Sequence, residues 1–271
     1  MKGMRLSNNA GKAILGTIGA VLLGVGTLIT TIPNNADKSV PIEYRDASNV
    51  CYVFVHGHAP IYNGIYGTQG KQSPEWADSL KIYEGESCRE LVVMLSLEMI
   101  RAGIDFIWLN PFETDMTLQE RVAKTNELYK KDKRIVFISL HHNAQPVDNG
   151  DYIDKHGLKG FTSTSTGGAT GTESYTSVGW TTSDSINNYY IIPELKQAFP
   201  EMKWRKGSTH DGKEANFYVL KYTNCPAVLI EWGFMTTYTD CQFIDDDYNR
   251  EVYVKAIAQA LINYNKSRNY E

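Results

Sequence analysis

Four places in this chain carry side chains that bind metals or move protons. His56-Gly57-His58 follows the apolar run Cys51-Tyr52-Val53-Phe54-Val55, and Glu86 lies within Tyr83-Glu84-Gly85-Glu86-Ser87. Ser139-Leu140-His141-His142-Asn143-Ala144 follows Ile135-Val136-Phe137-Ile138, and Glu231-Trp232-Gly233-Phe234 follows Ala227-Val228-Leu229-Ile230. Two imidazoles and one carboxylate fill three tetrahedral positions on Zn²⁺ and leave the fourth for water. The metal brings the pKa of that water from about 15.7 to about 7. A second carboxylate, near the metal but not bound to it, can then carry the water's proton to a leaving amine. Amide hydrolysis needs both parts, and the chain holds candidates for each.

These residues must be brought together by the elements between them. Cys51–Val55, Phe106–Leu109, Ile135–Ile138 and Ala227–Ile230 read as short buried strands. Helices are expected over Glu86–Ala102, where Leu91, Leu95 and Met99 recur four apart before Gly103, and over Thr117–Lys131 and Val252–Tyr264. Strands alternating with helices imply an α/β fold, a mostly parallel twisted sheet with helices on both faces. In such sheets ligands gather at the carboxyl ends of the strands, where the candidate residues stand. The Gly/Ser/Thr-rich stretch 157–185 is expected to be a surface loop or hairpin at the rim of the site.

The 271 residues suffice for one catalytic domain, expected over 50–271. A net charge of −4 gives no reason to expect nucleic acid as a partner. Tyr outnumbers Phe 17 to 9, which suits a protein that handles a polar polymer outside the cytosol. Cys51, Cys88, Cys225 and Cys241 lack the close spacing of a structural zinc site; they read either as buried thiols or as disulfides in one of three pairings.

Residues 13–32 form an uncharged stretch behind Lys2, Arg5 and Lys12. As a helix, these residues would rise about 30 Å, the thickness of a bilayer core. The basic side stays cytoplasmic, so 1–33 is expected to be a signal-anchor that sends the rest of the chain outside, with cleavage as a signal peptide the competing reading. Gly16, Ala20 and Gly24 have the small-residue spacing that permits close helix pairing. Residues 34–49 are polar, contain Pro41, and read as a tether.

Several of these segments resemble the zinc-dependent amidase-3 family of N-acetylmuramoyl-L-alanine amidases. Val55-His56-Gly57-His58 is similar to the family's glycine-histidine turn, and Thr117-Leu118-Gln119-Glu120-Arg121 to its Ser-Leu-x-x-Arg helix start. Ser139–Ala144 resembles its Ser-Ile-His-Ala-Asn-Ala motif, and Pro226–Phe234 its Pro-Ala-Val-Leu-Val-Glu-x-Gly-Phe strand. The resemblance runs in order from about Val50 to Tyr264. It implies one Zn²⁺ per chain on His58, Glu86 and His141, with Glu86 preferred to Glu84 by its offset from Leu91, and it implies Glu231 as the catalytic carboxylate. It implies peptidoglycan as substrate, cut between N-acetylmuramic acid and L-alanine. Lys213, Glu214 and Asn216 resemble a stretch that lines the substrate groove in one branch of the family, and His142 joins them as a candidate substrate contact. Three positions depart from the pattern: Val55 replaces an Asp, Ala59 a Gly, and His142 a small residue. The weakly apolar anchor is similar to the release segments of some phage endolysins. A zinc peptidase cutting the stem peptide, and an inactive membrane-anchored wall-binding module, are the competing readings.

Overall fold

In the computed structural model, residues 48–268 are described, apart from 60, 63–64, 67–71, 77, 112–114, 146–151, 154–158 and 161–167. The expected anchor at 13–32 and nearly all of the tether lie outside the described residues. Among the described residues, no helix is long and apolar enough to cross a membrane.

Six strands form one sheet. In chain order they are β1 (Cys51–His56), β2 (Asp105–Trp108), β3 (Ile135–Asn143), β4 (Glu173–Thr176), β5 (Lys213–Glu214) and β6 (Ala227–Phe234). Their spatial order is β2-β1-β3-β6-β4-β5. The first four in that order run parallel, with Val53 beside both Ile107 and Phe137, and Glu231 beside His141. β4 then runs antiparallel to β6, and β5 parallel to β4, so the sheet is mixed at one edge. The expected parallel order thus holds for the four apolar strands. β4 breaks it, and it emerges from the stretch expected to be a surface loop or hairpin.

Helices cover both faces. α1 (Glu84–Ala102) begins two residues before the expected start and ends at Gly103. α2 (Leu118–Lys131) has a capping box: the Glu120 backbone N–H donates to the Thr117 hydroxyl, and Glu120 accepts the Thr117 backbone N–H. α3 (Thr181–Ile186) and α4 (Ile192–Ala198) are joined by one π-turn at Asn187–Ile191. α5 (Tyr218–Lys221), α6 (Tyr238–Asp245) and α7 (Asp247–Ser267) complete the order.

Side chains alternate across each strand. On one face Val53, Val55, Ile135, Phe137, Ala227 and Leu229 pack with Val122 of α2 and with Val219 and Leu220 of α5. The opposite-facing residues Tyr52, Phe54, Val136, Ile138, Val228 and Ile230 are also buried, as are Leu91 and Leu95 of α1 and Ile257 and Leu261 of α7. The Tyr52 hydroxyl donates to the Leu261 carbonyl at 2.7 Å, and Trp232 of β6 stacks on Tyr253 of α7 at 4.1 Å. All four cysteines are buried and unbonded, which decides between the two readings of the thiols.

The α2–α5 face changes character along β3. Ile135 and Phe137 belong to the core, while Ser139, His141 and Asn143 continue the same face in polar residues. The carboxyl half of this face is therefore where chemistry can happen.

Candidate metal centre and groove

Three donor groups meet at the carboxyl end of the central strands. His58 lies just after β1, His141 is on β3, and Glu84 is the first residue of α1. One ligand-type atom from each lies within 4.8 Å of the other two. Glu84 Oε1 is 3.0 Å from His141 Nδ1, and Oε2 is 3.3 Å from His58 Nε2. Donors around a tetrahedral ion at bond lengths of about 2.0–2.2 Å stand about 3.4 Å apart. Two imidazoles beside one carboxylate, with these separations, fit a single zinc ion with an open fourth position.

The carboxylate in this group is Glu84, whereas the sequence reading assigned Glu86. The correction has a simple geometric basis. Successive helical residues turn about 100° around the axis, so positions 84 and 86 point to nearly opposite sides of α1. Glu84 is buried and faces the two imidazoles; Glu86 is half-buried and outside the group. Gly85 sets which residue faces inward. A Cβ at position 85 would stand 1.9 Å from the Ala59 carbonyl oxygen, so only glycine lets the first turn of α1 press against the loop that carries His58.

The chain around the donors fixes their orientation. His58 adopts a left-handed backbone (φ 55°), a costly conformation for a non-glycine residue and one that clusters at functional sites. A Cβ at Gly57 would come within 2.4 Å of His141 Nδ1 and 3.0 Å of Glu84 Oε1. Arg121, buried at the start of α2, donates from Nη1 to the His56 carbonyl at 2.8 Å and from Nη2 to Asp115 at 3.0 Å. Val55 cannot take such a part, since it is wholly buried in the apolar core. The turn is thus held from the Arg121 side. The His142 backbone N–H donates to Glu84 Oε1 at 3.3 Å.

His141 Nε2 lies 3.0 Å from the Ser139 hydroxyl. With Nε2–H donating there, Nδ1 keeps its lone pair toward Glu84 and the metal position. Ser139→Ala is expected to weaken zinc binding about 10–100-fold while leaving the fold intact, as loss of an orienting partner does elsewhere. Competition titration against a chelator of known affinity measures this.

His56 and His142 stand beside the two ligand histidines in sequence, but the structure places neither in the group. His56 is fully buried and donates from Nε2 to the Asn110 carbonyl at 2.9 Å. His142 projects through the other face of β3, donates from Nδ1 to the Trp232 carbonyl and accepts from the Ser87 hydroxyl, both at 2.9 Å. It ties α1 to β6 from behind and does not reach a substrate, so its candidacy as a substrate contact is withdrawn. Burial lowers both imidazoles to about 4. Because the folded state holds fewer protons on them than the unfolded chain, whose histidines titrate near 6.5, stability is complete above about pH 6.5 and declines below it. Between pH 6.5 and 5 the expected loss is up to about 2 kcal/mol per imidazole. Urea unfolding with chelator present tests this, and a midpoint constant from pH 7 to pH 5 would contradict it.

Glu231 stands on β6 directly beside His141 on β3. Adjacent strands are about 4.8 Å apart, so its half-buried carboxylate shares the site's face one strand away from the metal group. Past it, the register shifts at a bulge where Gly233 is left-handed (φ 73°), and the Phe234 N–H is held by Asp240 at 2.9 Å. Of the groove candidates, Lys213 contacts Glu173. Glu214 instead points to the exposed side and accepts the Gly179 N–H at 3.0 Å, and Asn216 is exposed. His210 is exposed on a loop. Glu173, with Tyr175 and Arg205 bound to it, joins Lys213 on the same face of the sheet, and none of the three is among the residues singled out from the sequence. Glu173 and Tyr175 lie in the polar run Glu173-Ser174-Tyr175-Thr176 inside a Gly/Ser/Thr-rich stretch, and Arg205 carries no local signal.

An N-acetylmuramoyl-L-alanine amidase from Clostridium difficile superimposes with a TM-score of 0.60 at 23% identity, over 81% of this chain and 99% of that one. The catalytic domain of the amidase CwlV from Bacillus (Paenibacillus) polymyxa gives 0.53 at 20% identity, over 79% and 97%. At these identities the likeness speaks for the fold. In sequence, the Bacillus subtilis amidase LytC is 25% identical over 153 residues, 56% of this chain and 25% of LytC. The uncharacterised Bacillus subtilis protein YqiI is 26% identical over 149 residues, 55% of this chain and 56% of YqiI. The matches thus span about half of YqiI and a quarter of LytC. Residues 61–263, three-quarters of the chain, match the amidase-3 family, whose description is N-acetylmuramoyl-L-alanine amidase. The chain belongs to that family.

Proposed function

We propose that this chain hydrolyses the amide between the lactyl carbonyl of N-acetylmuramic acid and the nitrogen of L-alanine in peptidoglycan, with one zinc ion held by His58, Glu84 and His141. The observation that carries this reading is the row formed across the sheet: a metal-type donor group including His141, and Glu231 beside it on the next strand. When bound, zinc supplies Lewis acidity toward the amide carbonyl and toward water. Glu231 takes a proton from the attacking water and returns it to the alanine nitrogen as the carbon–nitrogen bond breaks, giving a carboxylic acid and a free amine. His58 and His141 would hold the metal through imidazole nitrogens, the second oriented by Ser139. α2 and α5 pack on the apolar first half of this face, and its polar second half is where the polymer would bind.

The segment at 13–32 extends the proposal to location. It would hold the domain outside the cytoplasmic membrane, facing the wall, with its small-residue stripe available for helix pairing. A lytic role in a phage and a remodelling role in a bacterium share this chemistry.

The test is zinc content together with release of L-alanine amino termini from purified peptidoglycan. About one zinc per chain and chelator-sensitive release of L-alanine termini support the proposal. New amino termini from other stem residues would make the protein a peptidase. Neither zinc nor release would remove the catalytic reading.

A further inference from the structure

Beyond Glu231 the same face of the sheet carries a second charged cluster that the hydrolytic chemistry does not use. Its centre is Glu173 on β4, 3% exposed, and the register partner of Glu231. Glu173 Oε1 accepts from Asn143 Nδ2 at 2.5 Å and from the Tyr175 hydroxyl at 2.8 Å. Its Oε2 accepts from Arg205 Nε at 2.9 Å and from Lys213 Nζ. Four donors on one buried carboxylate hold it ionised: burial alone would raise its pKa, but Lys213, Tyr175 and Arg205 together bring it below the usual carboxylate range.

Two cations share this one buried anion, and Glu231 on the neighbouring strand and Asp240 near Arg205 are the further carboxylates around them. The geometry also leaves donors to spare. Arg205 meets Glu173 only through Nε, and its guanidinium lies 4.9 Å from the Phe234 ring centroid. Among the described residues its two Nη groups make no hydrogen bond, and Lys213 has N–H bonds beyond the one to Glu173. Both cations are partly exposed, at 29% and 24%. A guanidinium with both Nη groups available is suited to a carboxylate.

We infer that Arg205 and Lys213, pinned by Glu173, form an anion-receiving subsite beside Glu231 that takes the free α-carboxylate of the stem-peptide residue following L-alanine. This rests on the amidase reading above. The scale agrees with it. With the scissile bond between the metal group and Glu231, an extended peptide advances about 3.3–3.6 Å per residue, so that carboxylate falls about 7 Å away. The step from β6 to β4 is about 4.8 Å, and the Arg205 and Lys213 side chains cover the rest. Glu173 is a positioning residue here; the contact belongs to the two cations.

The experiment compares two soluble substrates, muramoyl-L-Ala-D-Glu with a free α-carboxylate and the same compound carrying an α-amide, by kcat/KM. The wild-type protein should prefer the acid by about tenfold to a hundredfold, the range for a hydrogen bond between charged groups. In Arg205→Gln and Lys213→Gln the ratio should fall toward one, and Arg205→Lys should keep part of it. Using the ratio within each variant separates a lost contact from a weakened fold. Equal cleavage of both substrates by the wild type, or an unchanged ratio in both glutamine variants, overturns the subsite and leaves the amidase reading standing. If the wild type cleaves neither compound nor peptidoglycan, both are overturned.

Discussion

Glu231→Gln is expected to reduce release of L-alanine termini from peptidoglycan by about 10²–10⁴-fold while zinc content stays near one per chain. Glutamine keeps the size and polarity of the side chain but cannot accept the proton of an attacking water at neutral pH. Glu231 lies on β6, one strand from His141, and is not in the donor group, so the metal should remain. The same change would leave a wall-binding module with unaltered affinity for peptidoglycan, which makes it a test of catalysis itself. Loss of zinc along with activity would instead move Glu231 into the coordination sphere. Undiminished turnover would require a different proton carrier.

The second large effect separates two glutamates two residues apart. Glu84→Gln should lower zinc affinity by more than the roughly 100-fold upper value for an outer-shell partner, because it removes the charged donor between the two imidazoles. Glu86→Gln should leave zinc content unchanged. Measuring both variants by zinc titration and by turnover decides the ligand directly. Zinc loss in Glu86→Gln, with retention in Glu84→Gln, would restore the assignment made from sequence.

That assignment shows how far the sequence carries. The histidines, the catalytic glutamate candidate and the four apolar strands are legible because they form local signals: a polar pair after a run of Val, Ile and Phe. The choice between Glu84 and Glu86 is not local. It depends on the rotation of α1, set by the contact between Gly85 and the Ala59 carbonyl, and helix starts read from pattern are uncertain by a residue or two. His142 illustrates the same point. As the neighbour of His141 it carries an identical chemical signal, yet strand alternation sends it to the other face, behind the site. β4 was missed because Glu173-Ser174-Tyr175-Thr176 is polar on a face that is buried only through ion pairing. Its partners Arg205 and Lys213 lie 32 and 40 positions along the chain.

The passage of β3 from core to chemistry limits how this protein can diverge. Phe137 serves the core and His141 the site, four residues apart on one face of one strand. Inserting or deleting a single residue between them would exchange His141 with a neighbour and turn every subsequent side chain over. Lineages carrying such a change would lose packing and hydrolysis in one event, with no intermediate for selection to retain. Length variation among relatives should therefore collect in the connections between strands, and the span from Ile135 to Asn143 should keep its length even where its residues change.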